Sequence, residues 1–109
     1  MLVIGAPFGK ARTRVLAALS LLGESYPTEL GRLLGKPLFS VQEALRGLER
    51  DGLVAGRSVG RTRVFRLDPR YFASRELAAY AARLAQADEE LLQAVSALRR
   101  RPRRTGKRL

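Results

Sequence analysis

The chain has 109 residues, of which 46% are hydrophobic, so it is long enough for one domain with a modest core, and wholesale disorder is not expected. Its 21 Lys and Arg residues outnumber 10 Asp and Glu residues, and the resulting net charge of +11 favours a polyanionic partner, nucleic acid first and an anionic membrane surface second. The absence of Cys and His excludes disulfides, zinc fingers, thiol nucleophiles and histidine-based catalysis.

Three helices are predicted in the first half of the chain. Over residues 13–22 apolar side chains recur at helical spacing, and Gly23 ends the run. A short second helix begins at Pro27, a residue favoured at first helical positions, and ends at Gly35. The third helix covers residues 38–51, and its predicted inward positions are Val41, Leu45 and Leu48.

Two extended runs follow the third helix. Residues 53–55 lead into a glycine-containing segment, and residues 61–67 return with apolar side chains alternating along the run. Gly56 and Gly60, with the basic Arg57 between them, predict a hairpin tip.

The last part of the chain predicts one long helix and a charged tail. Ser74 is a suitable N-cap for a helix over residues 74–100, and Pro102 ends it. Residues 101–109 are too charged to pack and are expected to form a disordered basic tail. The chain is therefore expected to contain a folded unit over 1–70, a helix over 71–100 and the tail.

The charge is unevenly distributed along these segments. Residues 1–70 carry 12 basic and 6 acidic side chains, residues 71–98 carry 2 and 4, and residues 99–109 carry 7 and none. This asymmetry indicates two surfaces with separate roles. Residues 1–8 lack the basic start and the length of a signal peptide, and no apolar run approaches the roughly 18 residues of a membrane span. We therefore expect a cytoplasmic protein without membrane contact.

The order of three helices and a hairpin, with a turn of three to four residues between the second and third helices, is typical of a winged helix-turn-helix. The third helix ends in Leu-Glu-Arg-Asp-Gly-Leu-Val, and the returning wing strand reads Gly-Arg-Thr-Arg-Val-Phe-Arg-Leu-Asp-Pro over residues 60–69. Residues 7–70, which contain both motifs and the opening Phe8-Gly9, resemble the ArsR-like winged-helix regulators, with MarR-type proteins a more distant match. The resemblance implies a mainly α fold with a small β-hairpin, and a dimeric DNA-binding regulator, often a repressor.

By position, the resemblance implies that the third helix faces the major groove with Leu38, Phe39, Ser40, Gln42, Glu43 and Arg46. Gln42 is suited to a bidentate bond to adenine, Arg46 to guanine or phosphate, and Ser40 to a base or phosphate. Leu38 and Phe39 depart from the polar residues usual in the family, so they either pack against the neighbouring helix, which we expect for at least one, or contact thymine methyl groups. Glu43 either contacts cytosine, pairs with Arg46 or lies outside the groove.

Basic side chains of the wing are the predicted phosphate contacts, each of which makes affinity depend on salt. They are Arg57, Arg61, Arg63 and, with more weight on a solvated role, Arg66. Lys10, Arg12 and Arg14 at the start of the first helix either touch phosphates or are solvated. The basic tail is either a flexible arm that contacts DNA or a disordered end.

The long C-terminal helix is the predicted dimerisation element. Its leucines recur every seven residues, with small residues between them that permit close helix approach. In the alternative interpretation this helix folds back on its own domain as core. The predicted dimer contacts are Leu77, Tyr80, Leu84, Leu91, Val95 and Leu98.

Enzyme activity, a cofactor and a metal site are not expected. The adjacent Asp88, Glu89 and Glu90 point in different directions on a helix, and no glycine-rich phosphate loop follows a strand. Two other functions remain open: a winged-helix subunit or antitoxin that binds protein, and an architectural protein that binds nucleic acid without reading bases.

Overall fold

The structure is a computed structural model that describes residues 8–100. Within this range the elements are α1 (Lys10–Leu22), β1 (Glu24–Ser25), α2 (Pro27–Leu34), α3 (Leu38–Arg50), β2 (Val54–Val59), β3 (Thr62–Leu67), α4 (Ser74–Ala87) and α5 (Glu89–Arg100). The predicted winged helix-turn-helix is confirmed, and the predicted tail over 101–109 lies outside the described residues.

Helix α1 lies at the centre of the fold. Val15, Leu16 and Leu19 are almost inaccessible to solvent, and α1 contacts all four other helices, β1 and β3. The buried apolar residues of the five helices, β2 and β3 form one core cluster. Because α4 packs along α1, the helices after the wing belong to the same core as the helix-turn-helix.

The sheet has three antiparallel strands in the order β1-β3-β2. The two-residue strand β1 was not predicted, because it is too short to show the alternation that identifies a strand. The hairpin tip is also shorter than predicted: Val59 pairs with Thr62, and the turn contains only Gly60 and Arg61. Gly60 has φ +64°, a left-handed conformation that glycine adopts without strain.

Gly56 therefore does not lie at the tip. It lies in β2 and is paired with Phe65 of β3. A β-carbon at position 56 would lie 2.8 Å from Cε2 of Phe65 and 2.6 Å from an Nη atom of Arg63. The glycine thus provides room for the Phe65 ring and the Arg63 guanidinium against the strand.

The predicted single helix over residues 74–100 is wrong, because the chain breaks at Asp88 into α4 and α5. The Asp88 carboxylate accepts a hydrogen bond of 3.1 Å from the backbone N–H of Leu91, as an N-cap of α5 does. Its other oxygen accepts a 3.1 Å bond from Nε of Arg14, which also donates to the carbonyl of Leu34. These bonds hold the break against α1 and the end of α2.

The start of α4 also differs from the prediction. Ser74 is the first residue of the helix, and Ala73 occupies the N-cap without a capping side chain. At the other helix starts, Pro27 does occupy the first turn of α2, as predicted.

Candidate nucleic-acid interface

Helix α3 presents a mainly polar face to solvent. Val41, Leu45 and Leu48 are buried as predicted, and the opposite side chains are exposed. This exposed face consists of Leu38, Phe39, Gln42, Glu43, Arg46 and Arg50, with Ser40 half-buried at its margin. Residues spaced three and four apart share one face of a helix, so these side chains can meet one surface together.

A groove of about 440 Å³ separates α3 from the wing. It brings three of the predicted reading residues, Leu38, Gln42 and Arg46, together with Arg61 and Arg63 of the wing. The remaining lining residues are Tyr26, Pro27, Thr28, Leu45, Glu49, Thr62 and Phe65. The groove therefore combines amide, hydroxyl and guanidinium donors from α2, α3 and the wing.

Arg63 joins the wing to α3. Its two Nη atoms donate to the two carboxylate oxygens of Glu49 at 3.1 and 3.0 Å, and this bond raises the pKa of Arg63. The guanidinium carbon lies 5.1 Å from the ring centroid of Phe65, a cation–π geometry. The planar fork of Arg63 is therefore held in one orientation in the groove.

Arg57 is directed away from this groove and across β3 to β1. Its Nη atoms donate to the carboxylate of Glu24 at 2.7 and 3.4 Å. The hydrogen bond from Arg57 lowers the pKa of Glu24 and the same bond raises the pKa of Arg57, so both groups are charged at neutral pH. Arg57 would therefore have to leave Glu24 before it could make the predicted phosphate contact.

Glu43 forms an ion pair with Arg46, one turn along α3. Of the three roles that the sequence left open for Glu43, the structure therefore shows the pairing with Arg46. Arg46, Arg57 and Arg63 each have a carboxylate partner, whereas Arg61 and Arg66 are exposed and have no ion pair with another side chain of residues 8–100.

A second, more open groove lies between α3 and the start of α1 and is lined by Phe8, Lys10, Arg12, Phe39, Ser40 and Glu43, among others. Arg12 packs over Gly47 and lies 3.5 Å from a carboxylate oxygen of Asp51, so it connects α1 to α3. Arg14 is likewise engaged with Asp88. Lys10 is the exposed cation at this end of α3.

The structure places the six predicted dimer contacts in two groups. Leu77, Leu91 and Val95 are buried in the core of their own chain, as in the alternative interpretation of the C-terminal helix. Tyr80, Leu84 and Leu98 are half-buried. Each group contains residues of both α4 and α5, and both helices contact α1, so one face of the leucine stripe packs on the chain's own core on either side of the break at Asp88.

Sequence reasoning missed the carboxylates that hold the arginines. Glu24 lies on the unpredicted strand β1, and no local pattern indicates its bond to Arg57, 33 residues away. The outward position of Glu49 on a predicted helix indicates that it is exposed, but it does not indicate the bond to Arg63. Within residues 8–100 no group of three or more acidic side chains could hold a metal ion, and no helix there is long and apolar enough to cross a bilayer.

The fold is similar to the crystal structure of the adhesin competence repressor AdcR from Streptococcus pyogenes. The likeness has a TM-score of 0.62 and 19% sequence identity, and it covers 90% of this chain and 71% of that chain. No protein-family model matches the sequence, and no curated protein matches it either. At this identity the likeness shows the winged-helix fold alone and does not distinguish the ArsR-like from the MarR-type interpretation.

Proposed function

We propose that this chain is a dimeric DNA-binding transcriptional regulator, acting as a repressor in the cytoplasm, and that it is ArsR-like. The observation that carries the proposal is the groove in which Gln42 and Arg46 of α3 face Arg61 and Arg63 of the wing. A major groove of about 12 Å admits one helix, and the wing then lies beside it on the phosphate backbone or in the minor groove.

In this proposal α3 enters the major groove with its exposed face. Gln42 bonds adenine through its amide, Arg46 bonds guanine or a phosphate, and Ser40 donates to a base or phosphate at the margin. Glu43 limits where Arg46 can reach, because the two side chains are paired in the free protein.

The wing contributes charge in two forms. Arg61 at the tip is free to neutralise a phosphate, and each such contact releases counterions. Arg57 and Arg63 must exchange a carboxylate for a phosphate before they do the same. Non-specific attraction by the wing is therefore weaker than its number of arginines suggests, which favours duplexes that also offer base contacts.

Repression is supported by the name of the similar structure, which is that of a repressor. Dimerisation is supported by the resemblance of residues 7–70 to a dimeric family and by the symmetry of most soluble assemblies. A two-fold dimer would place two α3 helices about 34 Å apart and bind a nearly palindromic site.

The test is selection of bound duplexes from a random DNA pool at a stated salt concentration, followed by binding of variants to the selected site. Gln42→Ala and Arg46→Ala should each lose about 5- to 100-fold in preference for that site over random DNA. Gln93→Ala and Arg83→Ala, exposed on α5 and α4, are the matched controls. A site preference that survives both α3 variants would exclude base reading by this helix.

Light scattering of the wild-type protein tests the dimer, which should have twice the 12.1 kDa mass of the chain. Substituting Leu91 with Asp is not informative, since Leu91 is fully buried and the change would unfold the domain. A monomer at every concentration that binds DNA would contradict the proposed dimer.

A protein-binding subunit is the second candidate. The exposed Leu38 and Phe39 and the paired arginines of the interface favour it. The two functions differ in specificity, because a chain of net charge +11 attracts any duplex in 50 mM salt, whereas only a base-reading regulator prefers a selected site over random DNA.

A further inference from the structure

The first turn of α3 carries two large apolar side chains that the rest of residues 8–100 leaves partly or largely exposed. Leu38 is 47% exposed and Phe39 is 70% exposed, and neither belongs to the core cluster. Phe39 is therefore largely unpacked, and the expectation that at least one of the two packs against a neighbouring helix stays a prediction for Leu38. Pro37 precedes them at the N-cap, so Leu38 and Phe39 are the first two residues of the helix. Solvent exposure of this kind is unfavourable, so a surface that removes the pair from water gains free energy.

Basic side chains lie on both sides of this apolar pair. Phe39 shares a groove with Lys10 of α1, and Leu38 shares the other groove with Arg46 and Arg61. The base edges of a major groove are likewise bounded by a phosphate strand on each side. An apolar centre with cationic margins is therefore complementary to a duplex, and the only methyl group on a major-groove edge of unmodified DNA is that of thymine.

We propose that Phe39, supported by Leu38, contacts the 5-methyl group of a thymine in the bound site. This assignment rests on the proposed function and adds a base preference to it. Phe39 and Gln42 are three residues apart on the exposed face, about 4.5 Å along the helix axis. Base pairs are about 3.4 Å apart, so the thymine lies one or two base pairs from the base that Gln42 contacts.

The experiment replaces the thymines of the selected duplex one at a time with deoxyuridine, which removes the methyl group and keeps the base pairing. In each half-site, one replacement should weaken binding by the wild-type protein about three- to fourfold, the value for one methyl group returned to water. The same replacement should have no effect on Phe39→Ala, whose affinity for the thymine duplex is already reduced.

Two further variants separate this contact from other effects. Phe39→Leu retains an apolar side chain and should keep most of the sensitivity to deoxyuridine. Phe72→Ala removes a phenylalanine that is 91% exposed and lines neither groove, so it should bind both duplexes as the wild type does. Circular dichroism of the Phe39 variants should show the helical content of the wild type, as expected for a side chain outside the core.

The outcomes distinguish this proposal from the function on which it rests. If the wild type binds the selected duplex and no deoxyuridine weakens it, thymine reading is wrong while DNA binding stands. Equal sensitivity in the wild type and Phe39→Ala would assign the methyl contact to another residue and also overturn the proposal. If Phe39→Ala binds every duplex as the wild type does, Phe39 does not contact DNA and the proposal is overturned. No binding of any duplex by the wild type would overturn the proposed function itself.

Discussion

Replacing Arg61 with Gln removes the charge at the tip of the wing without changing the fold. Arg61 is exposed in the turn between β2 and β3 and has no carboxylate partner within residues 8–100, so its whole charge is available to a phosphate. The slope of log affinity against log salt should fall in magnitude by about 0.9, the value for one phosphate contact. Between 50 and 200 mM salt this difference corresponds to a factor of about 3.5.

The same change at Arg57 should leave the slope unchanged. Both Nη atoms of Arg57 already bond the Glu24 carboxylate, so a phosphate gains no new neutralising charge while that pair persists. Glu24→Gln should increase the magnitude of the slope by about 0.9, because it frees Arg57 to contact a DNA phosphate.

Fluorescence anisotropy with a labelled random duplex, titrated at several KCl concentrations, measures the slope for the wild type and for the Arg61, Arg57 and Glu24 variants. Arg83→Gln on α4 is the control for a loss of one positive charge far from the wing. Equal slopes for the Arg57 and Arg61 variants would refute the reasoning, as would a Glu24 variant whose slope matches that of the wild type.

Three further predictions concern the ion pairs and the packing of the fold. Asp88→Ala removes the N-cap of α5 and should lower the free energy of unfolding in urea by about 1–2 kcal/mol; an unchanged value would mean that the cap is replaced by water. Gly56→Ala places a β-carbon against Phe65 and should cost about 1–3 kcal/mol in the same assay, unless the ring can move away. The pKa of Glu24, followed by NMR, should lie below its ordinary value of 4.5 and rise in Arg57→Gln. Because this pKa is lowered in the folded state, the contribution of Glu24 to stability is present above pH 4.5 and is lost as the pH falls through the lowered value; a titration at 4.5 in the wild type would contradict the pair.

The fold was predictable where short-range patterns determine it. Helical periodicity and the stop at Gly35 identified the helix-turn-helix, and the apolar positions Val41, Leu45 and Leu48 follow from the same periodicity. The polar face of α3 was correctly placed for the same reason, since a helix with one buried face must expose the other.

Features that depend on distant residues were not predictable. The break at Asp88 does have a local signal, an Asp N-cap followed by Glu89 and Glu90, but the heptad of leucines indicated a continuous helix. The bond from Arg14 to Asp88, 74 residues later, has no local signal. The neutralised state of Arg57 depends on Glu24, which pairs only after the sheet has formed. The sequence gives the number of basic side chains, whereas the number of them available to a partner depends on which are already paired with carboxylates in the folded chain.

The packing of α4 and α5 on α1 has a consequence for how the molecule could transmit a signal. Leu77 and Leu91 share one core with Leu16 and Leu48, so no flexible linker separates the C-terminal helices from α3. Removing residues 71–100 would expose the apolar side chains of α1 that α4 and α5 cover. The shortened chain should therefore precipitate and not remain in solution as an isolated domain. A ligand that tilts α4 would act first on α1, against which α4 packs, and α1 in turn contacts α3.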